Sequence, residues 1–394
     1  MARLKYWVWL SCAAGVDPLA KNHLVAAMGG PEAVFFAGKE ELMFAGATAH
    51  DAQKLMDKSL AETSRVLAAC EDRGIRILTL QDADYPERLR SIPDAPVVLY
   101  VKGRLPAVDE SAVIAVVGTR KASSYGQTMA ARLGEGIARG GGIVVSGLAE
   151  GCDGVAMEAA LRAGGTVIGV LGTAIDVVYP AKNGRLFEET AVRGALVSEH
   201  GPGTRTYQSD FRLRNRIISG LALGVAVTEA PERSGTRITV DRALEQGRDV
   251  FAVPAAVGTP AGDGYLALLA LGAQTAASGT DILARYEGRF RPVPARSAPV
   301  STKTVLTPIK KEIDKPRDIV YIDLTDRTPD PSERWKDLPP AQRRVLEVMD
   351  RPSMHADEII EAAGLSASEA LAALTMLQVA GLVSQGAGRR YSRR

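Results

Sequence analysis

Six apolar runs, at residues 113–117, 142–146, 166–171, 195–198, 225–229 and 249–253, recur at intervals that leave room for a helix between most neighbours. Runs that are apolar throughout, instead of alternating, are buried on both faces, and strands that alternate with helices close into a parallel, doubly wound sheet. In such sheets a ligand lies outside the carboxyl ends of the strands. The loops that follow the runs are therefore where function is expected.

Four of those loops carry the same chemistry. After the first run come Gly118, Thr119, Arg120 and Lys121, then Ser123, Ser124, Tyr125 and Gly126, leading into a helix from about Gln127. A glycine admits an anion to the backbone, hydroxyls cap the helix, and its N-terminal N–H groups and two cations complete a phosphate cradle. The second loop reads Ser146, Gly147, Leu148, Ala149, then Glu150, Gly151, Cys152, Asp153, Gly154. The second run ends in Ser146, Gly147, Leu148 and Ala149, with no acidic residue at the strand end to hold a ribose, and no GxGxxG is present, which argues against a nicotinamide or flavin dinucleotide. The third holds Gly172, Thr173, Asp176, Tyr179, Pro180, Lys182 and Asn183, and the fourth is Ser234, Gly235, Thr236 opening a helix. Between the third and fourth lies FRLRNRIISG at 211–220, where Arg212, Arg214 and Arg216 flank Asn215 and run into an apolar segment. Guanidinium forks match phosphate oxygens. An ordinary salt-bridged helix end is the alternative reading of that stretch.

A net charge of +2 means that any affinity for nucleic acid must come from local clustering. With 46% apolar and 24% charged residues the chain is globular, with room for two or three domains. Three cysteines without metal-like spacing, Cys12, Cys70 and Cys152, fit reduced thiols and a cytoplasmic protein. The apolar run near the N-terminus is too broken for a signal peptide or membrane span.

Residues 1–74 form short helical pieces separated by Gly15, Gly29–Gly30 and Gly46, a SAM or helix-hairpin-helix-like module. Protein binding is the favoured role, since no sharp Gly-x-Gly hairpin is present to grip a DNA backbone. Residues 75–80 and 97–101 read as edge strands leading into a domain that ends near residue 287. Residues 288–337 are a Pro-, Ser- and charge-rich linker with a short strand expected at 319–324. Residues 338–394 show three helical periods and a hairpin with Gly386 and Gly388 at its tip, a winged-helix pattern. Its last helix carries almost no cations, so the wing and tail, with Arg389, Arg390, Arg393 and Arg394, are the parts suited to phosphate; a protein partner is equally open.

The central segment closely resembles the DNA-processing protein A (DprA/Smf) family. The resemblance rests on VGTRKASSYG at 117–126, SGLAEGCDGVAMEAAL at 146–161 and GTVIGVLGTAIDVVYPAKNGRLFEE at 165–189. It continues through SEHGPG at 198–203, RNRIISGL at 214–221, EAPERSGTRIT at 229–239 and GRDVFAVP at 247–254. RNRIISGL followed by SGT at this spacing is specific; the glycine loops alone are not. The resemblance implies an α/β protein, an extended Rossmann-like parallel sheet with a small N-terminal helical domain and a C-terminal winged-helix domain. It further implies a non-enzymatic, cofactor-free, dimeric binder of single-stranded DNA that protects the strand and loads the RecA recombinase in natural transformation or recombination.

Carried over by position, Gly118 and Arg120 match phosphate-contacting residues, with Lys121 beside them. Lys182 and Asn183 fall in the DNA-contacting loop after the Tyr-Pro pair, with Phe187 as a stacking ring nearby. Arg214, Asn215 and Arg216 match the RNR signature, and Ser234, Gly235 and Thr236 the Ser-Gly-Thr turn. Such a set suits single strands, cations tracking phosphates while a ring stacks on any base. Met157 stands where the family usually has His, and the stretch after Pro254 departs from the family pattern, so a dimer through Leu268, Leu269 and Leu271 is expected to be built differently here. Two rivals use the same pocket: an enzyme hydrolysing nucleoside monophosphates, which would need a carboxylate among Glu150, Asp153, Asp176, Glu199 and Glu229, and a regulator that binds a small nucleotide.

Overall fold

The structure, a computed structural model, describes residues 3–232, 234–290, 292–293, 339–349, 354–379, 382–385 and 390–393. The strand expected at 319–324, nearly all of the linker, Arg233, and Gly386, Gly388, Arg389 and Arg394 of the wing and tail lie outside these residues, as does the side chain of Arg393.

The strands of the main sheet are β1 (Arg76–Thr79), β2 (Val98–Gly103), β3 (Val113–Val117), β4 (Ile143–Ser146), β5 (Val167–Leu171), β6 (Ala195–Ser198), β7 (Gly224–Val227), β8 (Asp249–Ala252) and β9 (Gln274–Thr275). Their spatial order is β1-β2-β6-β5-β4-β3-β7-β8-β9. The six apolar runs become β3 to β8. β9 had no apolar run to announce it, being two residues long.

β3 holds the centre, parallel to β4 on one side, with Ile114 opposite Val144, and to β7 on the other, with Ile114 opposite Gly224. The chain steps outward from β3 through β4 and β5 to β6, then returns to the far side of β3 for β7, β8 and β9. The topological switch point therefore falls between β3 and β7, where a crevice opens at the carboxyl ends. β2 runs antiparallel to β6, and β1 antiparallel to β2.

Every residue of β3, β4, β5, β6 and β7 is buried, because helices cover both faces. The period of two divides the core: Ile114, Val116 and Val144 pack with Leu133 and Ile137 of the helix Ser124–Arg139 and with Ala156 of the helix Cys152–Arg162. Val113, Ala115 and Val117 pack with Ile217 and Ile218 of the helix Asn215–Leu221 and Val240 of the helix Thr236–Glu245. The N-terminal helices, from Leu4 to Asp72, join the first of these faces, where Trp7, Leu10, Leu24 and Val66 continue the core that includes Tyr100 of β2. Tyr100 Oη and Ser11 Oγ lie 2.9 Å apart, and Asn22 Nδ2 donates to the carbonyls of Pro93 and Ala95 at 3.0 and 2.9 Å.

The C-terminal unit has its own core of Val345, Leu346, Met354, Ile359, Leu374, Leu377, Val383 and Tyr391. Helices Pro340–Val348, Ala356–Ala363 and Ala367–Val379 pack with a three-stranded antiparallel sheet of β10 (Met354–His355), β11 (Val383–Gln385) and β12 (Arg390–Arg393). This is the winged-helix arrangement the periodicity indicated. Among the described residues no single helix is long and apolar enough to cross a membrane.

Candidate nucleic-acid interface

At the switch point the chain leaves β3 through Gly118, whose Cα packs against the loops after β4 and β7. A Cβ there would lie 2.5 Å from Thr228 Oγ1 and 2.6 Å from Cys152 Sγ, so a side chain would prise the loops apart. The loops are also bonded through their backbones. Thr119 N donates to Glu229 O at 2.7 Å, and Cys152 N donates to Thr119 O at 3.2 Å. Gly151 runs beneath this loop with a φ of +79°, a conformation that favours glycine, and a Cβ on it would meet the Arg120 carbonyl oxygen at 2.6 Å. Arg120 and Lys121 are held outward at this junction, exposed and with no side-chain partner among the described residues. Glu229 accepts from both Ser123 N and Ser123 Oγ at 2.9 Å, so its carboxylate fixes the turn that starts the helix Ser124–Arg139. The Ser123 hydroxyl in turn accepts from Gly126 N, which starts that helix three residues earlier than the sequence suggested.

Arg214 lies at the carboxyl ends of β4 and β5. It is buried, and its Nη1 donates to Gly147 O at 3.1 Å and to Val170 O, tying the ends of β4 and β5 together. Burial lowers its pKa to about 10, Asp153 opposes that, and the charge of Arg120 adds to it; the group stays protonated at neutral pH. Asp153, also buried, accepts from Gly147 N at 3.2 Å. Burial pushes its carboxyl up, while Arg214, the Ser146 hydroxyl and the amides of Gly147 and Gly118 pull it down.

The third loop closes the side. Asn183 Nδ2 donates to Leu148 O at 2.8 Å, stitching this loop to the second, and Lys182 Nζ reaches Glu150 Oε2 at 2.5 Å with both side chains exposed. Tyr179, 40% exposed, stands with its ring centroid 5.1 Å from that of Phe211, which packs over Gly172. The ring of Tyr179 is legible in the third loop of the sequence; its partner Phe211 is not, since it heads the arginine stretch at 211–220 with no local signal that it meets the third loop. In the fourth loop Gly235 is exposed, Thr236 begins its helix, and Ser234 Oγ is buried with no hydrogen-bond partner among the described residues. Asn215 is half-buried, its Oδ1 3.3 Å from Arg214 Nε.

Three expectations need correction. Arg216 cannot face DNA as it stands: its side chain is 0% exposed, with Nη2 donating to both Glu199 oxygens at 2.8 and 2.9 Å, Nε to Asp94 O at 2.8 Å and Nη1 to Leu213 O at 3.1 Å. The alternation that turns Arg214 toward β4 and β5 turns Arg216 toward β6. Phe187, 2% exposed, is packed in the core beside Leu186, because the helix Gly184–Arg193 presents that face to the sheet. Leu268 is likewise internal at 6%, while Leu269 is half-buried; the apolar side chains left on the helix Pro260–Ala270 and its cap are Leu266 and Leu271.

The carboxylates named for catalysis are all engaged. Glu150 pairs with Lys182, Asp153 holds Gly147, and Asp176 accepts from Gly203 N at 3.0 Å and pairs with Arg73. Glu199 holds Arg216, and Glu229 holds Ser123. Among the described residues no group of three or more His, Cys, Asp or Glu could hold a metal ion.

Residues 76–287 match the family described as DNA recombination-mediator protein A, and residues 328–389 match the DprA winged helix domain. The chain is similar to Protein Smf of Synechocystis sp., 31% identical over 99% of this chain and 98% of that one. It is also similar to the DNA processing protein DprA of Bacillus subtilis, 41% identical over 55% of this chain and 73% of that one. The X-ray structure of DNA processing protein A from Streptococcus pneumoniae superposes with a TM-score of 0.62 at 33% identity, covering 72% of this chain and 98% of that one.

Proposed function

The chain belongs to the DNA-processing protein A (DprA/Smf) family, and on that premise we propose that it binds single-stranded DNA in the crevice at the carboxyl edge of its central sheet. The observation that carries this reading is the bonding of the loops after β3, β4, β5 and β7 into one rim, with Arg120 and Lys121 exposed on the first of them and, on the third, Tyr179 exposed against a half-buried Phe211. Backbone amides and cations follow phosphates, and a ring accepts any base, so the site tolerates sequence. Gly118, Asn183, Asn215, Gly235 and Thr236 shape the rim, while the buried hydroxyl of Ser234, which has no hydrogen-bond partner among the described residues, bonds a phosphate oxygen. Lys182 joins by exchanging Glu150 for phosphate. Phe211 with Tyr179 takes the stacking role that the buried Phe187 cannot, and Arg214 contributes positive charge from the ends of β4 and β5 without a contact of its own.

Within the family's role in DNA processing, the bound strand is delivered to the RecA recombinase, in the cytoplasm, during transformation or recombination. The helical module of residues 1–74 is a protein-binding element on the DNA-binding domain of residues 75–287. After the linker, residues 288–337, the winged helix of 338–394 takes a protein or, through its wing, duplex DNA. Self-association runs through the exposed Leu266 and Leu271. Binding is favoured over hydrolysis of nucleoside monophosphates because each available carboxylate holds a backbone amide or a cation.

Fluorescence anisotropy of oligothymidylate against duplex DNA at two salt concentrations tests the proposal. The single strand is expected to bind more tightly, with affinity falling as a power of salt by about 0.7 per neutralised phosphate. Equal affinity for duplex, or release of ribose 5-phosphate from AMP, would overturn it.

A further inference from the structure

The loop between β6 and the helix Gln208–Leu213 carries a second arginine–aromatic pair that none of the roles above employs. Arg205 is exposed, its guanidinium carbon 5.5 Å from the centroid of the Tyr207 ring, and that ring is 51% exposed. No carboxylate pairs with Arg205 among the described residues. A solvated cation–π pair contributes little to a fold, so these two large side chains sit on the surface without structural work.

The backbone that carries them is braced without them. Arg65 Nη1 donates to Gly203 O at 3.2 Å, Gly203 N to Asp176 Oδ1 at 3.0 Å, Thr204 Oγ1 to Gly201 O at 2.7 Å, and Tyr207 N to Asp210 Oδ2 at 2.6 Å. The nearby carboxylates, Asp176 and Asp210, are thereby occupied with backbone amides. A loop fixed by its backbone holds the two side chains in place while leaving ring face and N–H fork open.

Position supplies the ligand. Tyr207 caps the short helix in which Phe211 follows four residues later, and Phe211 is in contact with Tyr179 at the rim. Four residues advance a helix by ~6 Å, on the order of one step of an extended strand. We propose that Arg205 and Tyr207 form a second single-strand subsite, in which Tyr207 stacks a base next to the one held at Phe211 and Arg205 bonds the phosphate between them. The inference rests on the single-strand reading of the central crevice. It adds a direction: the strand leaves the crevice along residues 203–207, toward the N-terminal helices that supply Arg65.

The test uses the full chain with oligothymidylates of about six and about twenty nucleotides, the range over which small single-strand sites fill. Arg205→Ala and Tyr207→Ala are each expected to weaken binding of the longer strand roughly tenfold while leaving the shorter one unchanged, and Tyr207→Phe is expected to bind as wild type. Arg205→Ala should also lower the salt slope by about 0.7. Wild-type affinity in both alanine variants for the longer strand, or an equal loss at both lengths, would overturn the subsite while the central crevice stands. If the wild-type chain binds neither oligonucleotide, the crevice reading fails and takes the subsite with it.

Discussion

Replacing Arg216 by Ala is expected to cost about 3–5 kcal/mol of folding stability, the range for removing one partner of a buried ion pair. The guanidinium is sealed from solvent and is the partner of a carboxylate that is itself buried. Burial pushes Glu199 up, but Arg216, with His200 and Lys21 beyond it, outweighs that and holds the carboxyl below its ordinary value of 4.5. A depressed folded pKa means that the pair's contribution is complete above the unfolded value and is lost as pH falls through the folded one. In Arg216→Ala the largest of the stabilising charges is gone. Glu199 then keeps only the more distant charges of His200 and Lys21 against its burial, so its folded pKa is expected to rise relative to wild type and the variant to lose less stability on acidification than wild type does. Chemical denaturation at several pH values reads both effects. A variant as stable as wild type at neutral pH would show that the buried pair does not hold the helix Asn215–Leu221 to the sheet. Arg216→Met combined with Glu199→Leu is expected to recover most of the loss, since an apolar pair leaves no unpaired charge.

The double substitution Arg120→Ala, Lys121→Ala should do the opposite, sparing the fold and removing function. Both side chains are exposed and unpaired among the described residues, so stability is expected to change by no more than ~0.5 kcal/mol. Each charge-assisted bond to phosphate that is lost costs about 1.5–3 kcal/mol, so losing two should lower single-strand affinity by at least about a hundredfold and the salt slope by about 1.4. Anisotropy with a thermal melt as control measures both. Unchanged affinity in a folded variant would remove this loop from the interface. Arg214→Ala is a poorer probe, because its guanidinium bonds two strand ends and its loss would disturb the crevice and the fold together.

The contrast between these arginines marks what could be read in the chain alone. Apolar runs set the strands, and the glycine-and-hydroxyl loops between them set the rim, since both are local properties. RNR reads as three adjacent polar residues, whereas the burial of Arg216 depends on Glu199 and Asp94, one seventeen residues and the other 122 residues away. Phe187 and Phe211 are alike as letters. Only the packing of the helix Gly184–Arg193 against the sheet, and of Phe211 over Gly172, sends the first inward and leaves the second at the edge. Leu268 differs from Leu271 in the same way, by the face of its helix that meets the core.

The claim beneath all of this is one of place: single-stranded DNA lies across the loops after β3, β5 and β7. Photocrosslinking of an oligonucleotide containing 5-iodouracil, followed by peptide mapping, locates it directly. The expected crosslinks fall on Tyr179 and Phe211 and weaken in the Arg120→Ala, Lys121→Ala protein. Crosslinks confined to the winged helix or to the N-terminal helices, with those two rings unmarked, would contradict it.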